Sequence, residues 1–417
     1  MNISLALAQD KSTLFSAFKN KSTPTTPVSL LAGMAIASPV ALNIFAPVMP
    51  ELAVTFNTST FTIQLGFTLY LFTLAIGQLI SGPLADRYGR RPVLLWGFIL
   101  HIAGCVLGVM AVEVWQLLLA RVLQAAGGCT GMLLARSIIL DQHGKDQAAG
   151  MLGYITLGIA TAQAIAPTMG GYLNLLAGWQ SVFWLSMILG SIVWLGALLY
   201  LPESNQIDQQ NRGLLDSFKR YNSVLSSPGY LWYALSCTMI ACGFFIFITS
   251  APFVVAKYMQ GSAVDYGNWF ILVAGGFWLG SLTAGRVSAK AGTDRMIRLG
   301  NYISGIGSLL MLGLFIVETP SYLSLFLPMA LFTYGRGLSQ PNAQASAISA
   351  TRGAKATATG MLGFLQLLIG SLMAQLTPVL MLMGLVVLPI VLLCMVILAA
   401  YCYYRGIKAS TADWIDV

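Results

Sequence analysis

Long apolar stretches alternate with short polar breaks along almost the whole chain. A helix needs about 20 predominantly apolar residues to cross a bilayer, and twelve stretches reach that length between breaks at glycine, proline and charged residues. The predicted spans are 28–50, 62–84, 92–112, 114–138, 147–174, 179–201, 229–256, 266–289, 296–317, 322–349, 356–383 and 385–404. The pattern therefore predicts an all-α polytopic membrane protein.

The longest polar connection, 202–228, divides these spans into two sets of six. The predicted organisation is an N-terminal tail 1–27, a bundle 28–201, a linker 202–228, a bundle 229–404 and a tail 405–417. The halves resemble diverged copies, because prolines lie late in spans one and seven and arginines lie deep in spans four and ten. Two pseudo-symmetric six-helix bundles with a site between them are a common transporter plan. A twelve-span bundle without symmetry is the alternative.

Composition and charge agree with this prediction. The chain of 417 residues is 57% hydrophobic and 9% charged, whereas soluble domains have roughly 25% charged residues. The net charge of +8 comes from basic residues that recur in short connections between apolar segments. This distribution follows the positive-inside rule and predicts cytoplasmic N- and C-termini in an inner membrane, with the bilayer and not nucleic acid as partner.

Catalytic and metal-binding patterns are not evident. The six cysteines lie inside apolar segments without ligand spacing, and the two histidines form no H-E-x-x-H motif. No phosphate-binding G-x-x-x-x-G-K-[ST] run occurs either. We therefore expect no cofactor, no metal, no ATP-driven step and no enzymatic activity, and we expect a monomer.

The most specific motif is the connection between spans two and three, where residues 82–92 read GPLADRYGRRP. It resembles the signature of the major facilitator superfamily at this place. The resemblance implies that Asp86 faces the start of span eleven, around 357–360, with Arg136 or Arg90 as partner, and so latches one conformation. The latch residues implied are Gly82, Asp86, Arg87, Gly89, Arg90 and Arg136. The alternative is that these charges only set the topology.

Spans four and five carry the pattern of a narrower family. Arg121 and Gln124 fit an Arg-x-x-Gln pattern, and Pro167, Gly170 and Gly171 fit an antiporter motif in which proline and glycine let a helix bend and pack closely. These runs resemble the drug–proton antiporters of the bicyclomycin and chloramphenicol resistance type. The resemblance is specific in the first half of the chain and diffuse in the second.

One departure concerns the energy source. Those exporters have an aspartate four residues before the span-one proline, which is thought to take up protons; here the residue is Asn43, before Pro47. An amide does not titrate in the physiological range. His101, in the middle of span three, is the alternative proton site, although a lone histidine on an apolar helix is more often a packed residue.

The deep arginines suggest the charge of the ligand. All fourteen carboxylates lie outside the middles of the spans, whereas Arg121 and Arg336 lie deep within them. Such cations usually line a bundle interior or a water-filled cavity, so two of them without buried acids favour an anionic ligand. Pairing of the arginines with helix carbonyls or glutamines is the structural alternative. The predicted substrate-binding residues are Asn43, Tyr70, Arg121, Gln124, Gln163, Phe247, Arg336, Gln340 and Gln366.

The sequence thus predicts a secondary active transporter that exports small amphiphilic organic molecules by alternating access. The substrate would be a drug or a secreted metabolite, with an anion such as a carboxylate siderophore favoured by the arginines, and protons are a candidate second partner. An importer, or a uniporter or exchanger, on the same fold is the alternative because fold does not determine function. A non-transporting receptor or scaffold also stays open.

Overall fold

The structure, a computed structural model, describes residues 26–142, 145–203, 221–317, 320–351 and 355–412. Helices account for nearly all of them. In chain order they are α1 (Val28–Thr55), α2 (Thr60–Tyr88), α3 (Arg90–Val109), α4 (Val114–Gln142), α5 (Lys145–Ala177), α6 (Ser181–Tyr200), α7 (Pro228–Tyr258), α8 (Ala263–Ala291), α9 (Thr293–Val317), α10 (Tyr322–Ser349), α11 (Lys355–Met381) and α12 (Val387–Ala412).

The predicted spans match these helices to within several residues at their ends. Residues 405–412, predicted to belong to a tail, continue α12 as helix. The predicted tails 1–27 and 405–417 and the linker 202–228 otherwise lie largely outside the described residues. Within those residues, ten helices are long and apolar enough to cross a membrane. The other two helices, α5 and α10, span 33 and 28 residues.

Helix α1 is not continuous. Its α-helical part ends at Asn43, a 3-10 turn covers Ala46–Val48, and a second α-helical part covers Met49–Thr55. Pro47 lies in the turn, and proline has no N–H to donate to a regular helix. The Asn43 side chain turns back onto its own helix and donates to the Pro39 carbonyl at 2.7 Å.

Glycines set the close crossings in both halves. A Cβ added at Gly127 of α4 would overlap the carbonyl of Gly97 in α3, and one added at Gly335 of α10 would overlap the carbonyl of Gly300 in α9. Membrane helices associate through such small residues because lipid supplies no hydrophobic driving force between them. The same contact recurs six helices apart, which confirms the fold of two pseudo-symmetric bundles.

The halves meet along α2 and α11 and along α5 and α8. We call the face with residues 87–91 the basic face and the other the opposite face. Near the opposite face, Gln64 donates to the Ala374 carbonyl at 2.8 Å, and Thr168 donates to the Gly267 carbonyl at 2.7 Å. These bonds hold the halves together there.

Candidate functional site

Arg121 is enclosed within the N-terminal bundle. It is 1% exposed and donates to three acceptors: the Gly66 carbonyl at 3.3 Å, the Ala41 carbonyl at 3.0 Å and the Gln124 side-chain oxygen. Its Nε and Nη1 are thus met by backbone carbonyls and an amide of α1, α2 and α4, while its Nη2 is buried without a hydrogen-bond partner among the described residues. This is the structural alternative that the sequence left open.

Two aromatic rings complete the enclosure. The Arg121 guanidinium carbon lies 4.3 Å from the centroid of Phe45 and 4.1 Å from that of Tyr70. The Tyr70 hydroxyl bonds in turn to the Ser38 side chain at 2.9 Å. Cation–π contacts of this kind contribute about 1–2 kcal/mol when they are shielded from water, so the arginine is stabilised without a carboxylate.

Arg336 is placed differently. It is half-buried on α10, and its Nε donates to the Gln340 side-chain oxygen at 2.7 Å. Its guanidinium carbon lies 4.3 Å from the centroid of Phe244 and 4.8 Å from that of Phe277. Within the described residues no carboxylate forms an ion pair with it. Its charge therefore keeps open surface and unused donor capacity.

Further polar groups surround Arg336. The Gln366 amide of α11 donates to the Cys237 sulfur of α7 at 2.7 Å, and that sulfur lies 3.7 Å from the Gln340 carbonyl. Gln366 is half-buried and Gln340 is 9% exposed. Helices α7, α10 and α11 thus bring Arg336, Gln340, Gln366 and Cys237 together, and we call these four residues the C-half polar cluster.

The remaining predicted binding residues do not share this openness. Asn43, Tyr70, Gln124 and Phe247 are at most 2% exposed and pack inside their bundles, while Gln163 is half-buried on α5. The prediction of two equivalent arginines lining one cavity therefore differs from the structure. Nearby carbonyls and rings enclose Arg121, whereas Arg336 stays half-buried. The glycines at 335 and 337 were expected to clear space beside Arg336, but they pack against the backbones of α9 and α8 instead.

His101 is fully buried between α3, α4 and α6. Its Nδ1 lies 2.8 Å from the Gln124 carbonyl, and its ring packs against Phe98 and the backbone of Gly190. Its Nε2 has no hydrogen-bond partner among the described residues. The histidine is packed in the bundle, and its role as a proton site stays a prediction.

The basic-face motif is organised around Glu203, whose role the sequence did not reveal. Its carboxylate accepts from the backbone N–H groups of Arg90 at 2.9 Å and Arg91 at 3.1 Å, and so caps α3 from the end of α6. Gly89, at a φ of 96°, makes the turn, and a Cβ there would collide with Glu203. Arg90 also forms an ion pair with Asp141 at the end of α4.

The cytoplasmic latch predicted for Asp86 requires the end of α2 to lie near the start of α11. Leu79 of α2 packs on the cluster that contains Ala358 and Met361 at the start of α11. Asp86 is exposed on the same end of α2. Burial, with the Asp86 carboxylate as the second cause, raises the pKa of Tyr221 just before α7. Asp86 is therefore close to the C-terminal half, and the latch itself stays a prediction.

Gly82, Arg136 and Arg87 are the other residues of the predicted latch. A Cβ added at Gly82 would meet nothing within 4 Å, so this glycine is not required for close packing in this conformation. Arg136 is half-buried, and Arg90, which pairs with Asp141, also lies near Asp86. The pairing of Asp86 with either arginine stays a prediction. Arg87 is exposed and lies 5.3 Å from the centroid of the neighbouring Tyr88 ring.

The capping role of Glu203 can be tested by Glu203→Gln. An amide keeps the size of the side chain but loses the charge that stabilises the α3 N-terminus, so we expect the free energy of unfolding to fall by about 1 kcal/mol. Thermal unfolding in detergent measures the effect. An unchanged unfolding temperature in Glu203→Gln would contradict the cap.

The antiporter motif lies where α5 meets two different partners. Gly170 packs on the Ile44 carbonyl at the interruption of α1 and on Pro47. Gly171 packs on the backbone of Ala263 at the start of α8, in the other half. A Cβ on Gly267 would in turn lie 2.7 Å from the Thr168 Cα. The motif therefore closes the opposite face, with Gly267 as a partner that sequence analysis missed.

Comparisons with known proteins agree with this geometry. The family profile described as Major Facilitator Superfamily matches residues 31–375. The multidrug transporter MdfA of Yersinia pestis is 24% identical over 84% of this chain and 85% of its own length. A bicyclomycin resistance protein homolog of Haemophilus influenzae is 24% identical over 82% of this chain and 86% of its own.

A solved structure shares the fold. The xylose transporter XylE from E. coli superposes with a TM-score of 0.71 at 14% identity and covers 90% of this chain and 96% of its own. The relatives confirm the resemblance to drug–proton antiporters that the motifs indicated. Their names do not state the ligand of this chain.

Proposed function

This chain belongs to the Major Facilitator Superfamily, and we propose that it is a secondary active exporter of small amphiphilic organic anions. It is a multi-pass membrane protein of a transporter family. The substrate class we propose is a drug or secreted metabolite that carries a carboxylate, such as a carboxylate siderophore. The proposed mechanism is alternating access, with the two bundles rocking around a site between them.

The observation that carries the proposal is Arg336. A guanidinium at membrane depth is costly without a counter-charge, by roughly 3 kcal/mol on insertion scales. Here it has one amide partner and two aromatic faces, and the described residues supply no acid. A substrate carboxylate can supply the charge through paired N–H bonds. Phe244 and Phe277 would then contact the apolar part of the same molecule.

The direction and energy source follow from family resemblance and orientation. We propose that the basic face is cytoplasmic, that both termini lie on that side and that the membrane is the inner membrane. Export is favoured by relatives named as multidrug and bicyclomycin resistance proteins. The Asn43 amide cannot carry the proton that drives an antiporter. This residue therefore favours the alternative function, which is an importer, or a uniporter or exchanger, on the same fold.

A matched pair of substrates tests the proposal. We expect proteoliposomes containing the protein to transport an arylcarboxylate at least tenfold faster than its primary amide, because only the acid offers a charge to Arg336. Radiolabelled flux, corrected for leakage through protein-free liposomes, gives the ratio. Equal rates for the pair would defeat the anionic assignment. Flux that survives a proton uncoupler would favour the uniporter or exchanger.

A further inference from the structure

A cavity lies at the opposite face, between the halves and apart from the C-half polar cluster. It has a volume of about 520 Å³, within the roughly 300–1,000 Å³ of small-molecule sites. All four helices that meet there contribute to it. Its walls include Pro47 and Glu51 of α1, Asn174 of α5, Ala256 of α7, and Ala263 and Tyr266 of α8.

The charged group of this cavity is Glu51. Its carboxylate accepts a hydrogen bond from the Asn174 amide nitrogen, and within the described residues it forms no ion pair. A carboxylate can only accept, so this bond fixes the orientation of the amide. The Asn174 oxygen therefore faces away from Glu51, and it is buried without a hydrogen-bond partner among the described residues.

A third polar group points to the same chemistry. Tyr266 is 1% exposed and lines the cavity, and its hydroxyl has no partner among the described residues. Buried polar atoms are nearly always hydrogen-bonded, so an unpartnered one indicates a missing donor or acceptor. The exposed Glu51 carboxylate can only accept, the Asn174 oxygen accepts, and the Tyr266 hydroxyl can accept or donate. A ligand with a positive charge and several N–H donors complements these three groups.

We propose that this cavity binds a small primary ammonium ion with a short apolar tail. The ammonium group donates to the Glu51 carboxylate, the Asn174 oxygen and the Tyr266 hydroxyl. Prolines and aliphatic side chains of the walls contact the tail. The site thus takes a cation, opposite in charge to the anion proposed for Arg336, and its existence does not depend on what the protein transports.

Binding would also affect the conformation. The cavity is bounded by α1 and α5 of one half and by α7 and α8 of the other, next to the seal formed by Gly171 and Ala263. An occupant that contacts both halves binds only while they are together at this face. By linkage, it stabilises the state that is closed there.

The test uses purified full-length protein in detergent titrated with n-butylammonium chloride, with thermal unfolding as the readout. We expect a saturable rise in unfolding temperature for the wild type. Glu51→Gln should raise the half-saturating concentration at least tenfold, whereas Glu113→Gln, on a loop outside the cavity, should leave it unchanged. Ala256→Phe should abolish the effect by filling the space, without altering any polar group.

Two further ligands distinguish ammonium recognition from binding through charge alone or through apolar contact alone. Tetramethylammonium has charge but no N–H, and n-butanol has the tail but no charge, so both should have little effect at equal concentration. An unchanged response in both Glu51→Gln and Ala256→Phe would overturn the proposal, as would an equal response to n-butanol. If Glu51→Gln does not fold, the Ala256→Phe titration decides alone.

Discussion

Arg336→Ala is expected to lower transport of an anionic amphiphile by about 30-fold or more while the protein stays folded. A charge-assisted hydrogen bond contributes about 1.5–3 kcal/mol, and a bidentate arginine–carboxylate pair supplies two of them. Arg336 is half-buried, donates one hydrogen bond, to Gln340, and contacts the rings of Phe244 and Phe277. It loses fewer hydrogen-bond partners than Arg121 would, so we expect the larger effect of Arg336→Ala to be on substrate binding.

Arg336→Lys and Arg121→Ala complete this experiment. Lysine keeps the charge but loses the planar fork, so its transport rate should lie between those of arginine and alanine. Arg121 is enclosed by three acceptors and two rings. Its removal leaves a cavity in the bundle and takes the donor away from the buried Gln124 side-chain oxygen, so we expect lower abundance and a lower unfolding temperature.

Proteoliposome flux, normalised to the folded protein, separates these effects. If Arg336→Ala retained transport while Arg121→Ala was stable but inactive, the substrate-binding residue would be Arg121 in the N-terminal half and not Arg336. The same variants also test whether loss of activity reflects recognition or folding, since unfolding temperature and flux are measured on the same samples.

Gly171→Ala is expected to abolish closure of the opposite face and to reduce transport more than tenfold. An added Cβ would overlap the backbone of Ala263. The contacted atoms all belong to the backbone, so no flexible side chain can move aside to make room. The halves would separate at this face, because α5 and α8 meet there directly. Alternating access requires closure on each side in turn, so a transporter held open on one side stops.

The control for this variant lies on the same helix. Gly153 of α5 has no atom within 4 Å of an added Cβ, so Gly153→Ala should transport at the wild-type rate. A cysteine introduced at Val264, which lines the cavity at this face, should react faster with a membrane-impermeant maleimide in Gly171→Ala. Unchanged labelling and unchanged flux would show that the seal tolerates a side chain.

Much of the architecture could be predicted from the amino-acid sequence. The spans, the halves and the family follow from apolar run length, basic loops and the motifs at 82–92 and 167–171, since each depends on local sequence. The ends of the helices were harder to predict from the sequence. Residues 405–412 contain arginine and lysine and were predicted as tail, yet they continue α12, because a helix extends past the bilayer at no desolvation cost.

Sequence alone determined that this chain is a twelve-helix transporter with two deep arginines, because bilayer thickness and the cost of buried charge act on local segments. Only the tertiary structure decided what each arginine does. Helices α1 and α2 enclose Arg121, while Arg336 is half-buried beside two aromatic rings and Gln340. The pairing of Glu51 with Asn174 and of Glu203 with α3 likewise depends on distant segments meeting, which residue order does not specify.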